Sequence, residues 1–184
     1  MLALLADFQQ ACAELQVRYY VFGAQAALLF GSPRLTADVD ITVLLGDVTS
    51  EELAQTLVQH GFSLRFTDPA FARTTRVLPV LHVSSAFPAD VVLGGPGLEE
   101  LFLQRSVVRS IHGLEVPVAS PEDLIVMKVL AGRRKDEEDV VAVLSAQQGK
   151  LDLTQIRQTL HDLTVALAQD DLLPTFERLL NESA

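Results

Sequence analysis

The chain has 184 residues, of which 49% are hydrophobic and 21% charged, and its formal net charge is −10. This composition is typical of a soluble globular protein with a sizeable core, and the sequence contains no apolar tract long enough to span a bilayer. The acidic balance argues against a broad nucleic-acid-binding surface, and the single cysteine, Cys12, excludes a disulfide framework and a cysteine-based zinc site. These features indicate a cytoplasmic protein.

The first half of the chain predicts alternating helices and strands. The Leu-Ala-Leu-Leu start lacks a basic region, which favours an amphipathic helix over a signal peptide. Thr49 or Ser50 is a good helix N-cap, and Gly61 is a good stop. The elements predicted here are helices at 2–16, 24–30 and 50–60 and strands at 18–22, 38–45, 62–66, 75–83 and 89–93.

The second half begins with two more strands and ends in helices. His112-Gly113 between two apolar runs predicts a tight hairpin turn. The predicted elements are strands at 106–111 and 114–118 and helices at 121–131, 136–147, 153–168 and 171–181. The fold class is therefore α+β, a mixed sheet flanked by helices and followed by a helical array. We expect an α/β core at 1–119 and a helical region at 120–184 that packs on this core as one compact unit.

Two aspartates, Asp38 and Asp40, stand two residues apart in the strand predicted at 38–45. The two-residue period of a strand sends both carboxylates to one face, where they repel each other unless a cation lies between them. Oxygen ligands at this spacing suit Mg²⁺, which also binds substrate phosphates. The alternative is a pair of acids that merely face water at a strand edge.

A phosphate-binding turn is predicted upstream of these acids. The strand 18–22 ends at Gly23 and a helix follows, so backbone N–H groups and the positive end of a helix dipole would lie beside the acids. Gly31-Ser32 is a second candidate, but it lies too close to Asp38 for a helix to intervene. We therefore place the turn at Gly23.

These residues resemble the DNA polymerase β-like nucleotidyltransferase superfamily, in the variant found in AbiEii-type toxins. The second half of the chain is similar to the same proteins in a Pro-x-x-Leu-x-x-x-Lys … Arg-x-Lys-Asp-x-x-Asp segment. The matching residues of the first block are Gly23-Ala24-Gln25-Ala26, Gly31, Arg34, Thr36 and Asp38-Val39-Asp40, and the second block spans Ser120 to Val140. The two blocks occur in the expected order.

The resemblance implies an enzyme that moves a nucleoside monophosphate from a nucleoside triphosphate to a hydroxyl group. Asp38 and Asp40 would hold one or two Mg²⁺ ions, and Asp90, on a later strand, would be the third catalytic and metal-binding carboxylate. Asp90 is equally well explained as an exposed acid at a strand entrance. Acceptors among similar proteins include tRNA ends, proteins and small molecules, and in a toxin an antitoxin partner would mask the activity.

The resemblance also implies a set of nucleotide contacts. The resemblance favours Lys128 as a point charge for a triphosphate, and the alternative is a lysine that extends an apolar stem toward solvent. Asp136 and Asp139 could instead cap a helix N-terminus, in which case they are structural. The candidate nucleotide-binding residues are Gly23, Ala24, Arg34, Thr36, Lys128, Lys135, Asp136 and Asp139.

One position departs from the family pattern. Ala24 stands where similar proteins carry a second glycine or a serine, and its methyl group restricts close approach of a phosphate. Ala24 therefore favours an alternative function, a catalytically inactive nucleotide-binding or partner-binding module with the same fold.

Overall fold

The computed structural model describes residues 1–66 and 69–183. The helices are α1 (Leu2–Glu14), α2 (Gly23–Leu29), α3 (Ser50–Gln59), α4 (Pro69–Thr75), α5 (Leu98–Gln104), α6 (Pro121–Ala131), α7 (Arg134–Ala146), α8 (Leu153–Leu167) and α9 (Leu172–Glu182). The strands are β1 (Arg18–Phe22), β2 (Val39–Leu44), β3 (Phe62–Leu64), β4 (Val77–His82), β5 (Phe87–Gly94), β6 (Val107–Ile111) and β7 (Leu114–Val118). The chain divides into two compact units, residues 1–22 with 36–119 and residues 23–35 with 120–184.

The first unit is built on a seven-stranded mixed sheet with the order β3-β4-β5-β2-β1-β7-β6. The pairs β2–β5 and β1–β7 are parallel, and the other neighbours are antiparallel. His112 and Gly113 both have positive φ values, 50° and 88°, as a tight hairpin turn between β6 and β7 requires. The predicted α+β fold with a mixed sheet is confirmed.

One face of this sheet forms the core of the first unit. Val39, Ile41 and Val43 alternate along β2 and are fully buried. Phe8 of α1 packs edge-on against the rings of Tyr19 and Phe62, at centroid distances of 5.5 and 6.1 Å. The burial of β2 on this face fixes its register, because a slip by one residue would turn the apolar residues outward.

Two short helices of the first unit depart from the predicted elements. α4 precedes β4, and α5 follows the Gly94–Gly97 turn, where no helix was predicted. Each helix has only seven residues, which is too short to show a clear helical period in the sequence. α3 agrees with its prediction, because Thr49 and Glu52 form a reciprocal capping box at its N-terminus.

The second unit is helical. α6 begins at Pro121 after the N-cap Ser120, whose hydroxyl accepts a hydrogen bond from the N–H of Asp123, and it ends at the left-handed residue Gly132. Ile156, Phe176 and other apolar residues of α8 and α9 are fully buried. No helix within the described ranges combines the length and the apolar character that crossing a membrane requires.

Candidate active site

Asp40 and Asp90 occupy directly paired positions on the adjacent parallel strands β2 and β5. Adjacent strands lie about 4.8 Å apart, so two paired residues present their side chains side by side on one face. Both aspartates are half-buried, whereas their neighbours Val39 and Ala89 are fully buried toward the other face. Because side chains alternate along a strand, Asp40 and Asp90 lie on the face opposite to the buried side chains of Val39 and Ala89.

Asp38 lies in the bend immediately before β2 and is half-buried. Its carboxylate accepts a hydrogen bond from the hydroxyl of Thr36. Thr36 therefore orients the carboxylate of Asp38, which lies directly before the strand that carries Asp40.

Arg65 supplies a positive charge to Asp90, and nothing near Arg65 in the sequence points to this contact. Its Nη1 lies 3.3 Å from Oδ1 of Asp90, and its backbone N–H donates to the carbonyl of Pro79, which pairs with Asp90 across β4 and β5. The side chain therefore reaches across β4. Arg65 and Asp90 come together only because β3, β4 and β5 pair side by side, and the sequence does not reveal this strand order.

The donor set of the first unit suits Mg²⁺. In the part of the chain that the structure describes, no group of three or more His, Cys, Asp or Glu side chains is gathered so that it could hold a metal ion. Mg²⁺ does not need such a group, because it commonly binds one or two carboxylates and completes its shell with water and substrate phosphates. Asp40 and Asp90, at paired positions of β2 and β5, are the two residues that could form such a ligand pair.

In the second unit, Asp139 is the centre of a buried hydrogen-bond network. Its carboxylate is 1% exposed and accepts bonds from the Ser32 hydroxyl at 2.6 Å, from Lys128 Nζ at 2.6 Å and from Arg34 Nη2 at 2.8 Å. Arg34 Nε also donates to both oxygens of Asp139. Burial acts to raise the pKa of Asp139, but the bonds from Arg34, Lys128 and Ser32 outweigh it and lower the pKa to about 2.

Lys128 is held between two carboxylates. Its side chain is 5% exposed, and its Nζ lies 3.3 Å from Asp136 Oδ1 as well as 2.6 Å from Asp139. Asp136 is in turn bonded by Nε of Arg133 at 2.5 Å. The structure therefore brings together four of the candidate nucleotide-binding residues, Arg34, Lys128, Asp136 and Asp139, in one network within the second unit.

The remaining candidates have separate positions. Gly23 begins α2 with a φ of 68°, and the side chain of Ala24 is buried. Lys135 is exposed on α7. None of these three residues appears in the network around Asp139 among the contacts of the described chain.

The mixed sheet flanked by helices agrees with the fold that the resemblance to nucleotidyltransferases implies. Residues 1–175 match the family described as nucleotidyltransferase of unknown function, DUF6036, and the chain belongs to this family. The resemblance to nucleotidyltransferases is thereby confirmed, and the protein is a nucleotidyltransferase by family. No curated protein matches the sequence.

Three of the solved structures with a similar fold are an antibiotic-resistance factor, a nucleotidyltransferase-like protein and an antibiotic adenylyltransferase. The solution structure of the antibiotic-resistance factor ANT(2'')-Ia has 15% identity and a TM-score of 0.58, covering 90% of this chain and 93% of its own. An antigenic nucleotidyltransferase-like protein from Paracoccidioides brasiliensis has 17% identity and a TM-score of 0.57, with coverage of 95% and 92%. Lincomycin-bound lincosamide antibiotic adenylyltransferase LnuA has 13% identity and a TM-score of 0.53, with coverage of 78% and 96%. At these identities the likeness concerns the fold.

Proposed function

We propose that this protein is a Mg²⁺-dependent enzyme that transfers a nucleoside monophosphate from a nucleoside triphosphate to a hydroxyl group of a small molecule. The observation that carries the proposal is the direct pairing of Asp40 with Asp90 on parallel strands. Two half-buried carboxylates at paired positions repel each other, and this repulsion favours a bound cation.

In this proposal the acids of the first unit have different roles in metal binding and proton transfer. Asp40 and Asp90, with Asp38 beside them, would hold Mg²⁺, which neutralises charge on the phosphates. Thr36 orients Asp38 through its hydroxyl. Asp90 accepts the proton of the acceptor hydroxyl, whose oxygen forms a bond to the α-phosphorus while the bond to pyrophosphate breaks. The products are a nucleotidyl ester of the acceptor and pyrophosphate.

A small-molecule acceptor agrees best with the charge of the protein. With a net charge of −10, the chain repels the phosphate backbone of a large RNA, whereas a neutral or cationic hydroxyl compound meets no such barrier. Two proteins of similar fold support this choice, because one structure of ANT(2'')-Ia contains adenylyl-2''-tobramycin and that of LnuA contains lincomycin.

The test is pyrophosphate release with each of the four nucleoside triphosphates, Mg²⁺ and a panel of polyhydroxyl compounds that includes aminoglycosides and lincosamides. We expect release with at least one acceptor and a loss of at least about a hundredfold in Asp40→Asn. Asp47→Asn is the matched control, because Asp47 is an exposed acid just after the same strand, and its rate should equal that of the native protein. An Asp40→Asn variant that keeps the native rate would refute the metal role.

The alternative, an inactive nucleotide-binding module, is favoured by Ala24, whose buried methyl group stands where similar proteins have glycine or serine. Such a protein would show a rise in melting temperature with Mg²⁺ and a triphosphate but release no pyrophosphate with any acceptor. Incubation of the protein and a cell extract with α-labelled triphosphates would show whether the label is transferred to a small molecule, an RNA or a protein. Label on RNA or protein would replace the small-molecule acceptor and favour a toxin that an antitoxin partner restrains.

A further inference from the structure

The contact between Arg65 and Asp90 places a protein cation on one of the two paired acids. Arg65 follows β3, and its backbone is fixed by the 2.9 Å bond from its N–H to Pro79. Pro79 lies between Arg65 and Asp90 in the sheet, because it accepts the Arg65 backbone bond and pairs with Asp90 in the register of β4 and β5. The guanidinium consequently reaches the carboxylate from the residue that follows β3, a strand that carries none of the acids.

The geometry and exposure of the Arg65–Asp90 ion pair make it weak. A single N–H of Arg65 approaches Asp90 at 3.3 Å, and the side chains are 44% and 38% exposed. Exposed ion pairs that are not bidentate contribute little to stability, so Arg65 and Asp90 can separate at a small cost in free energy. The network around Asp139, by contrast, is buried and has short bonds from three different side chains.

We propose that Arg65 is a positioning residue that acts as an exchangeable counter-ion, occupying Asp90 until Mg²⁺ arrives together with a nucleotide. The proposal rests on the function proposed above. Without the metal, Arg65 relieves the repulsion between Asp40 and Asp90. Because Mg²⁺ and the guanidinium compete for the same carboxylate, Arg65 weakens the binding of Mg²⁺ alone. When triphosphate is present, the displaced guanidinium gains an anionic partner, so Arg65 couples metal binding to nucleotide binding.

The experiment measures Mg²⁺ binding by isothermal titration calorimetry, first with the protein alone and then with saturating α,β-methylene ATP, which cannot transfer its nucleotidyl group. Arg65→Gln should bind Mg²⁺ alone about two- to fivefold more tightly than the native protein, the range that corresponds to one exposed ion pair. The enhancement of Mg²⁺ affinity by the analogue should shrink by a similar factor. Arg65→Lys, which keeps the charge, should resemble the native protein more closely than Arg65→Gln does.

Arg73→Gln is the matched control. Arg73 lies in the same unit and pairs with Glu51 at the same distance, 3.3 Å, so its loss should leave both Mg²⁺ affinities unchanged. Unchanged or weaker Mg²⁺ binding in Arg65→Gln would overturn the counter-ion role while leaving the proposed function intact, provided that Asp40→Asn abolishes binding. If the native protein bound no Mg²⁺ under either condition, both the counter-ion role and the metal-dependent function would fall.

Discussion

Substitution of Asp139 by alanine should destabilise the second unit strongly, because it leaves a charge without its main partner in a buried place. Lys128 is buried and makes its shortest ion pair, 2.6 Å, with Asp139. Ser32 and Arg34 lose their acceptor in the same substitution. Removal of one partner of a buried ion pair costs about 3–5 kcal/mol, which corresponds to a fall in melting temperature of about 6–20 °C for a chain of this size.

The assay is urea unfolding followed by circular dichroism, with Glu138→Gln as the control. Glu138 is the neighbouring acid on the same helix, and its pair with Arg134 is exposed on both sides, so we expect a change within about 0.5 kcal/mol. If Asp139→Ala unfolded at the same urea concentration as Glu138→Gln, the network would not hold the helices together, and the reasoning would be wrong.

Three further predictions concern stability. Because the pKa of Asp139 is lowered to about 2, its contribution of about 2 kcal/mol is complete above the ordinary pKa near 4 and is lost as pH falls toward 2. In acid titrations, the stability difference between the native protein and Asp139→Asn should therefore be constant above that window and change only within it. Gly31→Ala should lower the free energy of unfolding in urea by about 2–5 kcal/mol, because the added Cβ would lie 2.2 Å from the Cβ of Ala146 and the φ of 111° is strained for alanine. Gly46→Ala, whose added Cβ would meet nothing within 4 Å, should cost only about 1–2 kcal/mol. Equal costs would contradict the close approach of Gly31 to Ala146. Thr49→Ala should lower the stability by about 1 kcal/mol through loss of the capping box, and a change below about 0.3 kcal/mol in the same assay would show that the cap is dispensable.

Sequence patterns predicted most elements of the fold because apolar periodicity and turn residues act locally. β1, β7 and α6 occupy the predicted ranges, and the turn at His112-Gly113 connects the predicted strands. The strand order could not be predicted in the same way, since it depends on pairing between distant segments. The parallel pairing of β2 with β5, which brings Asp40 beside Asp90, joins residues fifty positions apart.

The candidate site shows the same division between local and distant information. The i, i+2 spacing singled out Asp38 and Asp40, and the resemblance to nucleotidyltransferases singled out Asp90. Arg65 was missed because nothing near it in the sequence points to an acid. Conversely, Lys128 was conspicuous as a charge in an apolar helix, and the structure surrounds it with Asp136 and Asp139. The roles of these residues toward metal and nucleotide stay predictions until binding is measured.

The two kinds of ion pair in this protein have different capacities to respond to a substrate. Displacing Lys128 from Asp139 would leave a buried carboxylate and a buried ammonium without each other, at a cost of several kcal/mol that triphosphate binding would have to exceed. Displacing Arg65 from Asp90 costs at most about 1 kcal/mol, because water solvates both groups as they separate. The weaker pair is therefore better suited to the proposed exchange of partners, and the buried network is better suited to hold the segment around Ser32 and Arg34 in place.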